Sequence, residues 1–219
     1  MKKSKLAPVR VPKPDPVRVC IDIGSGKNPK AGFIGIDAID FGQAYIADLS
    51  LTPWVLFSKA ETAGTVQFKG GTFMRSAKLA LSGKHNIRYI PDNSVDEVNS
   101  SHFVEHLTGA ERIGFFNELY RVMKPGAVAT IVTPNWSHAC AYGDPTHQWP
   151  PMSPWYPLYL DKTWRDTQAP HVGYTCDFVG GVAGSWDARL NGRNPEFTQV
   201  AMNNETNAWR DLIVNLTKR

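Results

Sequence analysis

The sequence predicts an α/β fold, a mainly parallel sheet with helices on both faces and an antiparallel C-terminal strand. Three observations carry the prediction. Short β-branched runs recur and end in glycine or aspartate, as buried strands do where they run into tight loops. Helical or loop segments alternate with them, the pattern of parallel strands joined by crossovers. Two further strand-like stretches, residues 172–182 and 208–216, close the chain.

The elements follow in order. Residues 17–23 (VRVCIDI) form the first strand and run into Gly24-Ser-Gly26. Residues 33–37 (FIGID) form the second, ending in Asp37, and residues 44–48 (AYIAD) the third, ending in Asp48. Residues 54–87, with Gly64, Gly70, Gly71 and Gly83, read as an inserted loop and short helix over the sheet edge. Residues 90–94 (IPDNS) make a turn before a fourth strand at 95–98. Between 110 and 123, Ile113, Phe116, Leu119, Tyr120 and Met123 form one apolar stripe, with Glu111, Arg112, Asn117, Glu118 and Arg121 elsewhere. That periodicity predicts an amphipathic helix, stopped by Lys124-Pro-Gly126. Residues 127–133 make a fifth strand, buried on both faces. Residues 134–170, rich in Pro, Trp, Tyr and His, read either as a substrate lid or as a packed surface loop.

Composition bounds the function. A chain of 219 residues buries one sizeable core, and its 42% hydrophobic and 20% charged content is that of a globular protein. No window reaches the ~18 consecutive apolar residues of a membrane span, and no secretory signal is visible. Cys20, Cys140 and Cys176 form neither a disulfide framework nor a zinc pair. A cytoplasmic protein without membrane association is expected. The net charge of +4 is concentrated in a Pro-rich tail: residues 1–18 carry +5, and the rest −1. Residues 1–16 are therefore set apart as a basic tail, and 17–219 as the folded domain. The nearly neutral body disfavours a nucleic-acid partner, though the tail could touch phosphates.

In an open parallel sheet, ligands bind outside the carboxyl ends of the strands. Gly24 and Gly26 lie there, where a cofactor must approach the backbone closely. Asp37 is placed to accept from two ribose hydroxyls, and Asp48 from an adenine amino group. A dinucleotide needs G-x-G-x-x-G opening a long helix whose N-terminus holds a pyrophosphate. Only Lys-Asn-Pro-Lys-Ala-Gly32 follows Gly26 before Phe33, which leaves no room for that helix. S-adenosylmethionine, which has no pyrophosphate, suits the spacing.

The ordered series IDIGSGKNP (21–29), GID (35–37), ADL (47–49), PDNSVDEV (91–98), SHFVEHL (101–107) and ELYRVMKPG (118–126) resembles class I S-adenosylmethionine-dependent methyltransferases of the type 11 kind. The resemblance spans residues 17–135; Asp144-Pro-Thr-His147 resembles a segment after the fifth strand in some of these enzymes. It implies a Rossmann-like fold and methyl transfer from S-adenosylmethionine to a small-molecule or sugar-like acceptor through a hydroxyl or amine. It also implies that Gly24 and Gly26 bend around the methionine part, with Asp22 holding the loop or the cofactor's ammonium. Asp37 would bind the ribose and Asp48 the adenine amino group, with the Leu49 backbone N–H on an adenine ring nitrogen. Ser101 and His102 would line the methyl-transfer side. The helix usual after the first strand is nearly deleted here, and residues 54–87 interrupt the series.

His102 and His147 are the candidate general bases, since histidine titrates near neutrality. His138, Cys140, Asp144 and His147 match no compact zinc spacing, and no metal is expected. Amino-group methyltransferases of nucleic-acid bases carry an Asp/Asn-Pro-Pro-Tyr/Phe motif after the fourth strand, where this chain has Ser101-His-Phe-Val. No cysteine follows a proline, as a C5-cytosine enzyme requires. A nucleic-acid modifier guided by the tail and a non-catalytic S-adenosylmethionine-binding module are the alternatives.

Overall fold

The computed structural model describes residues 18–58 and 88–219. The basic tail at 1–16 and residues 59–87 of the insertion expected at 54–87 lie outside them. The described residues form a nine-stranded sheet in the order β5-β4-β3-β2-β1-β6-β7-β9-β8. The strands are β1 (Cys20–Ile23), β2 (Ile34–Asp37), β3 (Tyr45–Ile46), β4 (Val55–Ser58), β5 (Arg88–Tyr89), β6 (Val95–Ser101), β7 (Met123–Pro134), β8 (Phe178–Trp186) and β9 (Trp209–Lys218). Strands β3, β2, β1, β6 and β7 are parallel, and β9 runs antiparallel between β7 and β8. The expected mainly parallel core with antiparallel C-terminal strands is what forms.

Register separates the two faces. Ile21, Ile23, Ile36, Val98, Ala129, Ile131, Leu212, Val214 and Leu216 share one face, all nearly inaccessible to solvent. Helix α1 (Gly109–Val122) buries Phe115, Phe116, Leu119 and Val122 in the same core. Helix α3 (Tyr156–Leu160), which follows the one-turn α2 (Cys140–Gly143), brings Pro157 so near Gly180 that an added Cβ would lie 2.7 Å from it. Both helices thus cover this face. The opposite face, carried by Cys20, Glu97, Asn99, Val128, Thr130 and Asn215, is partly exposed, so the fifth strand is buried on one face and not, as expected, on both.

Helix α1 starts on a capping box: the Thr108 hydroxyl accepts from the Glu111 N–H, and the Thr108 N–H donates to the Glu111 carboxylate at 2.7 Å. Its buried side is rotated from the predicted stripe, because Arg112 (1% exposed) and Glu118 (6%) point inward. Each has fixed partners. Glu118 accepts from the Trp54 N–H and from Arg121, while Arg112 donates only to carbonyls. The helix then passes directly into β7, and residues 124–127 bulge out of the ladder beside Val95 with Gly126 at φ +78°. The predicted stop is a bulge within a longer strand.

Three other boundaries differ from expectation. The ends flanking the insertion are not loop: β4 and β5 extend the sheet antiparallel beyond β3. The strand expected at 172–182 starts at Phe178, because Tyr174 and Cys176 fill the core from an irregular segment. Residues 134–170 hold the helices α2, α3 and α4 (Lys162–Gln168); α5 (Pro195–Asn204) follows β8. Burial pushes the Cys176 thiol up to about 12. At pH 8, a disulfide reagent should modify exposed Cys140 rapidly and Cys176 only after unfolding; prompt labelling of Cys176 would contradict this packing.

Candidate active site

Parallel strands β1, β2, β3 and β6 deliver their carboxyl ends to one edge, and the predicted residues gather there. The Gly24 and Ser25 N–H groups both donate to the Ile36 carbonyl, at 2.9 and 3.2 Å, tying the loop after β1 to β2. Gly24 is left-handed (φ +67°), and a Cβ on it would sit 2.6 Å from Phe103 carbons. Gly26 is also left-handed (φ +55°) and faces open space. Its N–H donates to Asp37 Oδ2 at 2.9 Å, while the Ile39 N–H donates to Asp37 Oδ1 at 3.0 Å. Each oxygen keeps a lone pair for a further donor. Asp22 is different. Its two oxygens accept from the Lys30 N–H and from the Asn99 amide, both at 2.7 Å, and the residue is 3% exposed. That arrangement holds the loop.

Asp48 stands two residues beyond β3, where its Oδ1 accepts from the Ser50 N–H and hydroxyl at 3.1 and 2.6 Å. Leu49 is buried, and its carbonyl accepts from the Trp54 indole. Ser101 ends β6 beside β1, whose Ile23 pairs with Ser100. His102 follows in a left-handed conformation (φ +53°), its N–H donating to the Val132 carbonyl at 2.8 Å. Its Nδ1 is 3.3 Å from Glu105, and Nε2 is 4.0 Å from Asp211. The hydrogen bond to Glu105 raises the imidazole pKa above its ordinary value. Desolvation by burial lowers that of His106.

His147 is brought to the same corner, its ring packed edge-on against His106 at 4.8 Å between centroids. The Gln148 N–H donates to the Glu105 carbonyl at 2.8 Å, and Arg112 spans both segments through the carbonyls of Val104, Glu105, Gln148 and Pro150. His138 accepts from the Cys140 N–H through Nδ1 and forms no cluster with Cys140, Asp144 and His147.

Sequence reasoning missed four residues here, Ser25, Ser100, Thr133 and Asn135. Among the described residues, every buried side-chain nitrogen or oxygen without a hydrogen-bond partner belongs to Ser25, Ser100, Glu105, Thr133 or Asn135. All five stand at or just beyond the carboxyl ends of β1, β6 and β7. Buried polar atoms are ordinarily satisfied, so such a concentration at one edge marks where a polar ligand belongs. Only burial identifies them, and sequence does not carry it.

The comparisons bear on the fold. Residues 69–131 match the model of a methyltransferase domain family. A comparison with curated proteins gives no match. Among solved structures, an S-adenosylmethionine-dependent methyltransferase from Archaeoglobus fulgidus is 19% identical, covering 92% of this chain and 86% of that one at a TM-score of 0.51. It shows the shared fold. Geranyl diphosphate methyltransferase in complex with S-adenosylmethionine (12% identical, 92% and 78% covered, TM-score 0.47) is a more distant likeness. So is phosphoethanolamine N-methyltransferase 2 from Haemonchus contortus, also solved with S-adenosylmethionine (12%, 93% and 50%, TM-score 0.42). The mainly parallel α/β sheet is thus the fold of an S-adenosylmethionine-dependent methyltransferase, and residues 69–131 carry the methyltransferase-domain match. The described site suits the donor, with lone pairs on Asp37, the orphaned Ser25 hydroxyl, and a glycine loop close to Phe103. No helix among the described residues is long and apolar enough to cross a membrane.

Proposed function

We propose that this chain methylates a hydroxyl or amine of a small-molecule or sugar-like acceptor. S-adenosylmethionine would lie across Gly24 and Gly26, its ribose hydroxyls on Asp37, its adenine amino group on Asp48 and an adenine ring nitrogen on the Leu49 N–H. The acceptor would approach from Ser101 and His102. Methyl transfer is an in-line displacement, so the protein's task is to align the acceptor atom with the methyl group at ~3–3.5 Å and remove its proton. His102 is assigned the proton and Glu105 the resulting imidazolium, which their 3.3 Å separation suits. His147, beside His106, borders the acceptor side. Segment 134–170 supplies its wall, with Trp136, Tyr142 and Trp149 exposed for apolar contact. Three free thiols fit a reducing, cytoplasmic setting.

The observation that carries the reading is the convergence of orphaned buried polar atoms and left-handed glycines on the carboxyl edge that bears Asp37 and His102. Calorimetry tests the donor half. Replacing Asp37 by Ala should weaken S-adenosylmethionine binding by about 1–3 kcal/mol, a loss of roughly 5- to 150-fold. Unchanged affinity in a folded variant would remove Asp37 from the site. Radiolabelled methyl transfer into fractionated extract tests the acceptor half: label in the small-molecule fraction is expected, and label confined to nucleic acid would overturn the acceptor class.

A further inference from the structure

The acceptor side of this edge holds a second carboxylate that the proposed chemistry leaves unused. Asp211 lies on β9, directly across from Pro134 at the end of β7 and from Ser185 of β8. The Ser185 hydroxyl donates to Asp211 Oδ2 at 2.9 Å, and Arg210 Nε stands 3.9 Å from the same oxygen. The other oxygen, Oδ1, is the one nearer His102, 4.0 Å from its Nε2. The imidazole is half exposed and the carboxylate partly so, which leaves both within reach of an incoming molecule. Sequence did not single out Asp211, because β9 brings it to the edge from the far end of the chain.

The far side of the imidazole fixes what these two atoms are. His102 Nδ1 faces the Glu105 carboxylate at 3.3 Å, and an ionised carboxylate can only accept. In the neutral ring that a base must be, the proton therefore sits on Nδ1 and the lone pair on Nε2. Two acceptors, one of them anionic, then face each other across 4.0 Å. They cannot bond to one another in that state, but they can share a donor. An atom about 2.9 Å from both would see them about 90° apart, within the tolerance of two hydrogen bonds from one centre. That atom must carry two hydrogens. A hydroxyl has one, and would turn an oxygen lone pair towards Asp211; an ammonium nitrogen has three.

We propose that the acceptor is an amine, held jointly by Asp211 and His102, an assignment that rests on His102 being the base described above. Asp211 Oδ1 takes one N–H of an alkylammonium, and a second proton passes from the nitrogen to His102 Nε2, giving the imidazolium that Glu105 faces. The freed lone pair forms the N–C bond as the C–S bond of the donor breaks, with that electron pair staying on sulfur. The product leaves as a methylated ammonium. Positive charge thus builds on nitrogen during transfer, beside a carboxylate already in place, and such preorganised charge lowers the barrier. Methylation of a hydroxyl ends in a neutral ether, which gives Asp211 no cation to hold.

The first test needs neither the natural acceptor nor a variant. Methylammonium chloride, methanol and sodium chloride are titrated in turn into the full chain at mildly alkaline pH, where the imidazole is neutral, with His102 followed by NMR. A saturating shift is expected with methylammonium alone. Equal responses to the three, or none, would overturn the amine assignment. Asp211→Asn keeps the shape and removes the charge, and should weaken the methylammonium response by at least about tenfold; an unchanged response removes Asp211 from the site. The second test uses a small-molecule extract as acceptor, with and without prior N-acetylation of its amines by a succinimidyl ester. Acetylation should abolish incorporation of labelled methyl. Undiminished labelling would refute the amine while leaving methyl transfer itself standing, and the titrations involve no S-adenosylmethionine, so failure here is distinct from failure of the Asp37 test.

Discussion

Replacing Arg112 by methionine should destabilise the protein by about 3–4 kcal/mol. The side chain is 1% exposed, and its guanidinium donates to four backbone carbonyls, two beside the turn after β6 and two in the 148–150 stretch. Hydrogen bonds to a charged group contribute about 1.5–3 kcal/mol each. Desolvation of the cation offsets part of that sum, which is why the net falls well below four full bonds. Methionine fills the volume but leaves the carbonyls unanswered. Lysine keeps the charge without the planar fork and cannot span both segments, so Arg112→Lys should recover less than half of the loss. The midpoint of urea unfolding decides the matter. A loss under about 1 kcal/mol at unchanged slope would mean that the carbonyls find other donors.

The Gly24→Ala variant should lose about 2–4 kcal/mol of stability and at least tenfold in S-adenosylmethionine affinity. A Cβ residue in the left-handed region costs about 1–2 kcal/mol. Here the methyl group would also sit 2.6 Å from three carbons of Phe103, so either the ring or the loop must move. Gly26→Ala is the internal comparison. It bears the same left-handed strain with nothing within 4 Å of the added carbon, so it should cost only about 1–2 kcal/mol. Calorimetric affinity with thermal melting separates the two. Equal effects at both positions would show that backbone strain alone matters and that contact with Phe103 does not.

The parallel strands were legible because each β-branched run gives way to glycine or aspartate: Gly24 after β1, Asp37 at the end of β2 and Asp48 two residues past β3. The site edge was legible for the same reason. Arg112 and Glu118 were misread as solvent-facing because periodicity scores charge as exposed, whereas backbone carbonyls, Trp54 and Arg121 satisfy them inside. Strands β4 and β5 escaped notice because two- and four-residue additions to an edge leave no pattern. Asp22 was read for either of two roles, and the loop-holding one fits its two occupied oxygens. Ser25, Ser100, Thr133 and Asn135 carry no distinguishing motif; what singles them out is enclosure without partners.

The sheet order also bears on assembly. Strand β9 lies between β7 and β8, although β8 precedes it along the chain. Until β9 inserts, β8 has no sheet neighbour and β7 presents a raw edge able to pair with another molecule. Strand β9 is therefore what covers the β7 edge, and a chain in which it has not yet paired is the form most open to edge-to-edge association.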